Sequence, residues 1–158
     1  MTTALEDVVA LFEYATTRLL DRVAGLTDDE WAWEPIGDEP RASIRWRLDH
    51  IAETLDEPRN REFLGAGPSD DAAPVAASSA DAAVAAVRDA AARFTALARG
   101  LGATASEPLG PVAGPYGADS RLSFVLHVVD ELVHHAAEVA LLRDLHAGWE
   151  RAHRVAPH

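Results

Sequence analysis

The chain has 158 residues, of which 48% are hydrophobic and 25% are charged, a composition that excludes a disordered or fibrous protein and fits one domain spanning residues 1–158. Its 14 basic residues, all Arg, stand against 26 acidic ones, and the net charge of −12 argues against a nucleic-acid partner. Cys is absent, which excludes disulfides, protein thiolate nucleophiles and Cys-ligated metal ions.

Apolar residues of the first segment recur at steps of three and four, which predicts a helix from Ala4 to Gly25. Its first turn carries Glu6 and Asp7 where a signal peptide has basic residues, and no run of 18 apolar residues occurs in the chain. We therefore expect a cytoplasmic protein without a membrane partner. Residues 27–42 hold two Trp residues among Pro and Gly, which predicts an ordered loop packed on the helices.

Ser43 is the predicted N-cap of a second helix that ends near Gly65, with a kink or an early stop at Pro58. A flexible linker, residues 65–77, follows by composition. Ser79 is then the predicted N-cap of a third helix, which looks purely structural.

Residues 102–120 are rich in Gly and Pro, and a connection of this length in a compact domain is a candidate lid. The fourth predicted helix runs from Arg121 to Ala147 and is followed by a weakly structured tail in which Trp149 packs back. Four helices of this kind predict an all-α fold, a four-helix bundle with long loops between its helices.

The apolar face of the fourth helix contains two ionisable residues. At 100° per residue, six positions fall within a sector of about 80°: Phe124, Val128, Glu131, His135, Val139 and Leu142. A buried carboxylate needs an Arg, several donors or a metal ion as partner. Residues four apart on a helix can give an oxygen and a nitrogen to one ion, although a structural salt bridge has the same spacing. His50, flanked by Trp46 and Glu53, is the best third ligand.

Other residues are candidates for the surroundings of such a site, each with a structural alternative. His127 is a reserve or outer-sphere residue, and Glu138 is either an acceptor for a ligand imidazole or a solvated carboxylate. His134 points away and is partly exposed. Side chains from more distant segments could wall the cleft, hold an anionic cosubstrate or place a hydroxyl over the metal: Trp33 and Trp46 as walls or core, Arg45, Arg47, Arg121 or Arg143 as anion ligands or surface pairs, and Tyr116 as the hydroxyl.

Two segments resemble the signature helices of the DinB-like (DinB/YfiT-like) superfamily: SIRWRLDHIAE, residues 43–53, and LHVVDELVHHAAEVALLRDL, residues 126–145. The resemblance implies a four-helix bundle that binds a divalent metal, often zinc or nickel, through a His of the second helix and two residues four apart on the fourth. That pattern falls on His50, Glu131 and His135. Many members have His where this chain has Glu131, and Glu there resembles the mycothiol-dependent maleylpyruvate isomerase branch.

The resemblance implies a metal-dependent S-transferase or isomerase that uses a low-molecular-weight thiol such as mycothiol as cosubstrate and a small-molecule electrophile as substrate. The absence of Cys agrees with a thiol supplied from outside the chain. A hydrolase using metal-bound hydroxide and a non-catalytic metal-binding or stress-response bundle remain alternatives. A homodimer formed through an exposed helix face is also expected.

Overall fold

The computed structural model describes residues 2–68 and 76–154, and within these ranges the regular structure is helical, without β-strands. Four of its six α-helices are long, which confirms the all-α, four-helix prediction. The helices are α1 (Ala4–Arg22), α2 (Asp28–Trp31), α3 (Ile44–Asp56), α4 (Pro58–Phe63), α5 (Ala80–Gly100) and α6 (Arg121–Arg154). None of these helices is both long and apolar enough to cross a membrane.

The four long helices enclose one core. α3 and α1 each pack against both α5 and α6, so the helices alternate around the bundle axis. Fully buried side chains from all four helices fill the centre, and each contributes about 1.5–3 kcal/mol by leaving water. Phe12 of α1 and Phe94 of α5 place their ring centroids 5.2 Å apart. This core fixes the relative positions of α3 and α6, on which the site described below depends.

The predicted starts of α3 and α5 are confirmed. The Ser43 hydroxyl accepts a hydrogen bond from the backbone N–H of Trp46, and the Ser79 hydroxyl accepts one from Ala82. Each bond satisfies a donor that the first turn of a helix leaves unpaired. α1 begins at a capping box, in which hydrogen bonds from Thr3 lower the pKa of the Glu6 carboxyl.

The predicted stop at Pro58 is also confirmed. α3 ends at Asp56 and α4 begins at Pro58, since proline cannot donate a backbone hydrogen bond inside a helix. The buried Asn60 amide donates to the carbonyls of Thr54 and Leu55, at 2.8 and 3.0 Å. Asn60 thereby satisfies carbonyl groups that the end of α3 would leave unpaired.

The predicted end of the fourth helix at Ala147, and with it the weakly structured tail, is wrong. α6 continues to Arg154, and the ring of Trp149 lies 6.2 Å from that of Trp33, centroid to centroid. The expected packing of Trp149 therefore occurs, but on a helix. Conversely, α1 ends at Arg22, three residues before the predicted stop at Gly25, and residues 27–42 contain the short helix α2 within the predicted ordered segment.

Residues 102–120, the predicted candidate lid, form two 3₁₀ turns, and the backbone before the second turn pairs with the backbone after it. The backbone of Leu109 pairs with that of Asp119, and Gly110 pairs with Gly117. A side chain at Gly117 would put its Cβ 2.6 Å from the carbonyl oxygen of Gly110, so the pairing requires glycine there. Leu109 is buried against the bundle. These contacts argue against movement as a lid.

In the predicted linker, residues 69–75 lie outside the described part of the chain.

Candidate metal centre

The structure brings His50, Glu131 and His135 together where α3 and α6 pack side by side. One potential ligand atom from each of the three lies within 4.8 Å of the others. The imidazole centroids of His50 and His135 are 4.7 Å apart, with the rings nearly perpendicular. His135 Nε2 lies 3.5 Å from an oxygen of Glu131. These are the three residues that the sequence singles out as metal ligands, and we call them the triad.

The triad lies at the edge of the core. The His135 side chain is 9% exposed, whereas that of Glu131 is 35% exposed, so only the imidazole is buried as the helical pattern predicts. Glu131 is half-buried because it lies at the border of the α3–α6 contact. Below the triad, Ile51, Leu55 and Leu132 help to line a cleft that has no room for a water molecule. A ligand would therefore reach the triad from the solvent side.

A hydrogen bond to Glu138 sets the orientation of the His135 ring. His135 Nδ1 lies 2.7 Å from Oε2 of Glu138, and because an ionised carboxylate only accepts hydrogen bonds, Nδ1 carries the proton. The unprotonated Nε2 then faces Glu131 and His50, as a ligand nitrogen must. Of the two interpretations of Glu138, this geometry favours the acceptor for a ligand imidazole.

His50 is held by aromatic stacking. Its ring lies parallel to that of Trp46 at 4.7 Å, and Trp46 also meets His135 edge-on at 6.3 Å. Burial lowers the pKa of His50 and the neighbouring His135 lowers it further, while Glu131 and Glu53 act in the opposite direction. The lowered pKa favours the neutral imidazole, which is the form that binds a metal ion.

Two residues predicted near the site lie elsewhere. Trp33 packs edge-on against His146, with ring centroids 5.2 Å apart, far along α6 from the triad. Arg143 forms an ion pair with Glu30 at 2.7 Å and donates to the backbone carbonyl of Ala24. The predicted cleft wall and anion ligand are thus structural contacts, and of the two predicted wall residues only Trp46 lies beside the triad.

Three further predicted neighbours are exposed. Tyr116 is 67% exposed, on a 3₁₀ turn that packs against α4, and it does not line the cleft below the triad. His127 is exposed, two helical turns before His135. His134 is exposed as expected, with its Nε2 3.4 Å from Oε1 of Glu138.

Arg47 is the neighbour whose role the sequence does not reveal. Its Nε lies 3.0 Å from Oε2 of Glu138, and its guanidinium carbon lies 4.8 Å from the centre of the Trp46 ring. From the sequence, Arg47 is one of several arginines suited to binding an anion or to a surface ion pair. Its pairing with Glu138 follows from the antiparallel register of α3 and α6, which no local pattern specifies.

The donor set of the triad fits a divalent transition metal. Two donors about 2.1 Å from one ion at a tetrahedral angle are about 3.4 Å apart, close to the 3.5 Å between His135 Nε2 and Glu131. Two imidazoles and one carboxylate leave coordination positions open, as in catalytic rather than structural sites. A second group in the described residues, His134, His135 and Glu138, is also spaced for an ion and shares His135.

Comparison with known proteins supports this architecture. A family model described as the DinB superfamily matches residues 11–139. The fold is similar to that of a solved structure described as the conserved protein of locus from Enterococcus faecalis, with a TM-score of 0.65 over 94% of this chain and 99% of that one. At 16% sequence identity, that similarity concerns the fold alone. No curated protein matches the chain.

Proposed function

The chain belongs to the DinB superfamily, and from this premise we propose that it is a metal-dependent S-transferase or isomerase whose triad holds zinc or nickel. Its cosubstrate is a low-molecular-weight thiol such as mycothiol, and its substrate is a small-molecule electrophile. The observation that carries the proposal is the convergence of His50, Glu131 and His135 on one point at the α3–α6 contact. Glu at position 131 supports the isomerase branch.

Each residue of the site has a distinct part in this proposal. His50 and His135 would provide nitrogen ligands, and Glu131 would provide an oxygen and offset part of the ion's charge. Glu138 holds the Nδ1 proton of His135 and thereby keeps Nε2 directed at the triad. A divalent ion bound here supplies Lewis-acid chemistry that lowers the pKa of a thiol or water.

The thiol reaction needs no nucleophile from the protein, because the external thiol forms the new bond to carbon. In a transfer, the thiol loses its proton to solvent, a sulfur–carbon bond forms, and the leaving group departs with its electron pair. In an isomerisation, the thiol adds to a conjugated double bond and is expelled after rotation, so it is regenerated. The chain contains no Cys that could replace the external thiol. Trp46, beside His50, offers a flat apolar surface to the carbon skeleton of the electrophile.

The metal content of purified, tag-free protein tests the site. We expect about one divalent ion per chain by plasma mass spectrometry. The ion should be lost in His50→Ala and in Glu131→Ala and retained in His127→Ala, which removes an exposed His of the same helix. A native chain that takes up no metal after reconstitution would overturn the metal centre.

Turnover of an electrophile panel by the metal-loaded protein tests the activity. We expect consumption of at least one electrophile that requires both the metal and an added thiol, with loss of turnover on chelation. Metal-dependent turnover without thiol would replace the proposal by the hydrolase alternative. A fully loaded protein that consumes no electrophile under either condition would support the non-catalytic bundle instead.

A further inference from the structure

His135 stands between two groups that could each hold a metal ion. On its Nε2 side lie Glu131 and His50, and on its Nδ1 side lie Glu138 and His134. Each group offers two imidazoles and a carboxylate, so the donor chemistry does not distinguish them. His134 is 64% exposed, so the Nδ1 side is the more open to solvent. Some other feature must decide which nitrogen of His135 binds the ion.

Arg47 is that feature, because its guanidinium contacts the Nδ1 side directly: Nη1 lies 3.5 Å from His135 Nδ1. Its Nε lies 3.0 Å from Oε2 of Glu138, the same oxygen that accepts the Nδ1 hydrogen bond of His135. A guanidinium is always charged in proteins. An ion bound to Glu138 and Nδ1 would have to lie close to this positive charge.

The position of Arg47 is fixed by its surroundings. Its side chain is only 18% exposed, and its guanidinium lies over the ring of Trp46 at 4.8 Å. A partly buried charge is screened less by salt than an exposed one. The contact with Trp46 adds a cation–π attraction that keeps the guanidinium beside Glu138.

We propose that Arg47 determines which side of His135 binds the metal ion: its positive charge, beside Glu138 and Nδ1, excludes a cation from the group formed by His134, His135 and Glu138. Arg47 acts through Glu138 and is a positioning residue. The inference rests on the proposed metal centre. It predicts that removing the charge of Arg47 opens a second binding mode that the native chain does not use.

Zinc binding in variants without His50 tests the inference, because the Nε2 side is then incomplete. Zn²⁺ affinity is measured by competition with a chromophoric chelator in metal-free protein. His50→Ala should bind Zn²⁺ much more weakly than the native chain. Adding Arg47→Met should strengthen binding about tenfold or more, and adding His134→Ala to that pair should remove the gain.

Two control variants separate the charge of Arg47 from its packing. Arg47→Lys in the His50→Ala background keeps the charge and should give no gain. Arg45→Met in the same background removes an exposed arginine whose guanidinium lies over Trp31, away from Glu138, and should also give none. Arg47→Gln replaces Arg47→Met if the latter does not fold, as judged by circular dichroism.

The outcomes distinguish the two proposals. If the native chain binds Zn²⁺ but Arg47→Met brings no gain, or the gain survives the loss of His134, the role of Arg47 is overturned and the metal centre stands. If the native chain binds no Zn²⁺, both are overturned.

Discussion

Glu138 lies within 3.5 Å of three side chains: it accepts a hydrogen bond from His135 Nδ1 and contacts His134 and Arg47. Glu138→Gln keeps the size of the side chain but weakens a charge-assisted hydrogen bond. We expect the affinity for zinc to fall by about 10–100-fold, the usual effect of losing an outer-sphere partner. Titration against a competing chelator measures it.

Glu34→Gln is the matched control for that substitution, since Glu34 is exposed in the segment after α2. It should leave zinc affinity unchanged. Equal affinity in Glu138→Gln and the native chain would show that His135 is oriented by packing against Trp46 and its other neighbours instead.

The triad could be predicted from the sequence, whereas its surroundings could not. Glu131 and His135 share a face because helix geometry is local, and His50 stands out as a third ligand by its flanking residues, with support from the resemblance to a known family. Trp33 and Arg143 were misplaced because their positions depend on the path of residues 27–42 and on the far end of α6, which are set by tertiary contacts.

At the scale of elements, Asn60 stabilises the junction between α3 and α4. Its amide donates to two carbonyls at the end of α3. Asn60→Asp would face those carbonyls with acceptors instead of donors, in a buried position. We expect a loss of about 1–3 kcal/mol in the free energy of unfolding or more if the carboxylate is charged, measured by urea denaturation.

Asn60 is the only Asn in the chain, so no exposed Asn is available for a control Asn-to-Asp substitution. Asn60→Ala is therefore the comparison. It leaves the carbonyls unpaired without adding a repelling group and should be the milder change. If Asn60→Asp proved as stable as the native chain, the amide hydrogen bonds would contribute nothing net at this junction.

Helix starts were more predictable than helix ends. Ser43 and Ser79 cap their helices through a hydrogen bond to a residue three positions on, so the signal is contained in a few residues. α6 extends through Gly148 to Arg154, and Trp149 there contacts Trp33, more than a hundred residues earlier in the chain. A contact of that range overrides the low helix propensity of glycine and leaves no trace in the local sequence.

At the scale of the whole molecule, the pair of Glu30 and Arg143 joins three helices. Arg143 of α6 donates to the buried Glu30 of α2 through two nitrogens. It also donates to the backbone carbonyls of Arg22, the last residue of α1, and of Ala24 just after it. Arg143→Met would leave Glu30 without its charge partner. We expect a loss of about 3–5 kcal/mol in unfolding free energy, measured by urea denaturation.

The double variant Glu30→Gln with Arg143→Met separates charge from packing. Removing both charges should recover part of the stability that Arg143→Met loses, because no unpaired carboxylate remains buried. A double variant less stable than Arg143→Met would place the stabilisation in the carbonyl contacts rather than in the ion pair.

The single domain over residues 1–158, the homodimer and the cytoplasmic location stay predictions. Light scattering tests the homodimer.

Arg47 and His135 are 88 residues apart in the sequence, and this separation has a consequence for biosynthesis. Translation delivers α3 long before α6, so a nascent chain carries His50 without either of its partners. An ion bound by the triad can enter only after α6 has been made and has packed on α3. Such an ion would therefore bind to a bundle that has already folded without it, and the apolar core alone would have to keep the metal-free bundle folded.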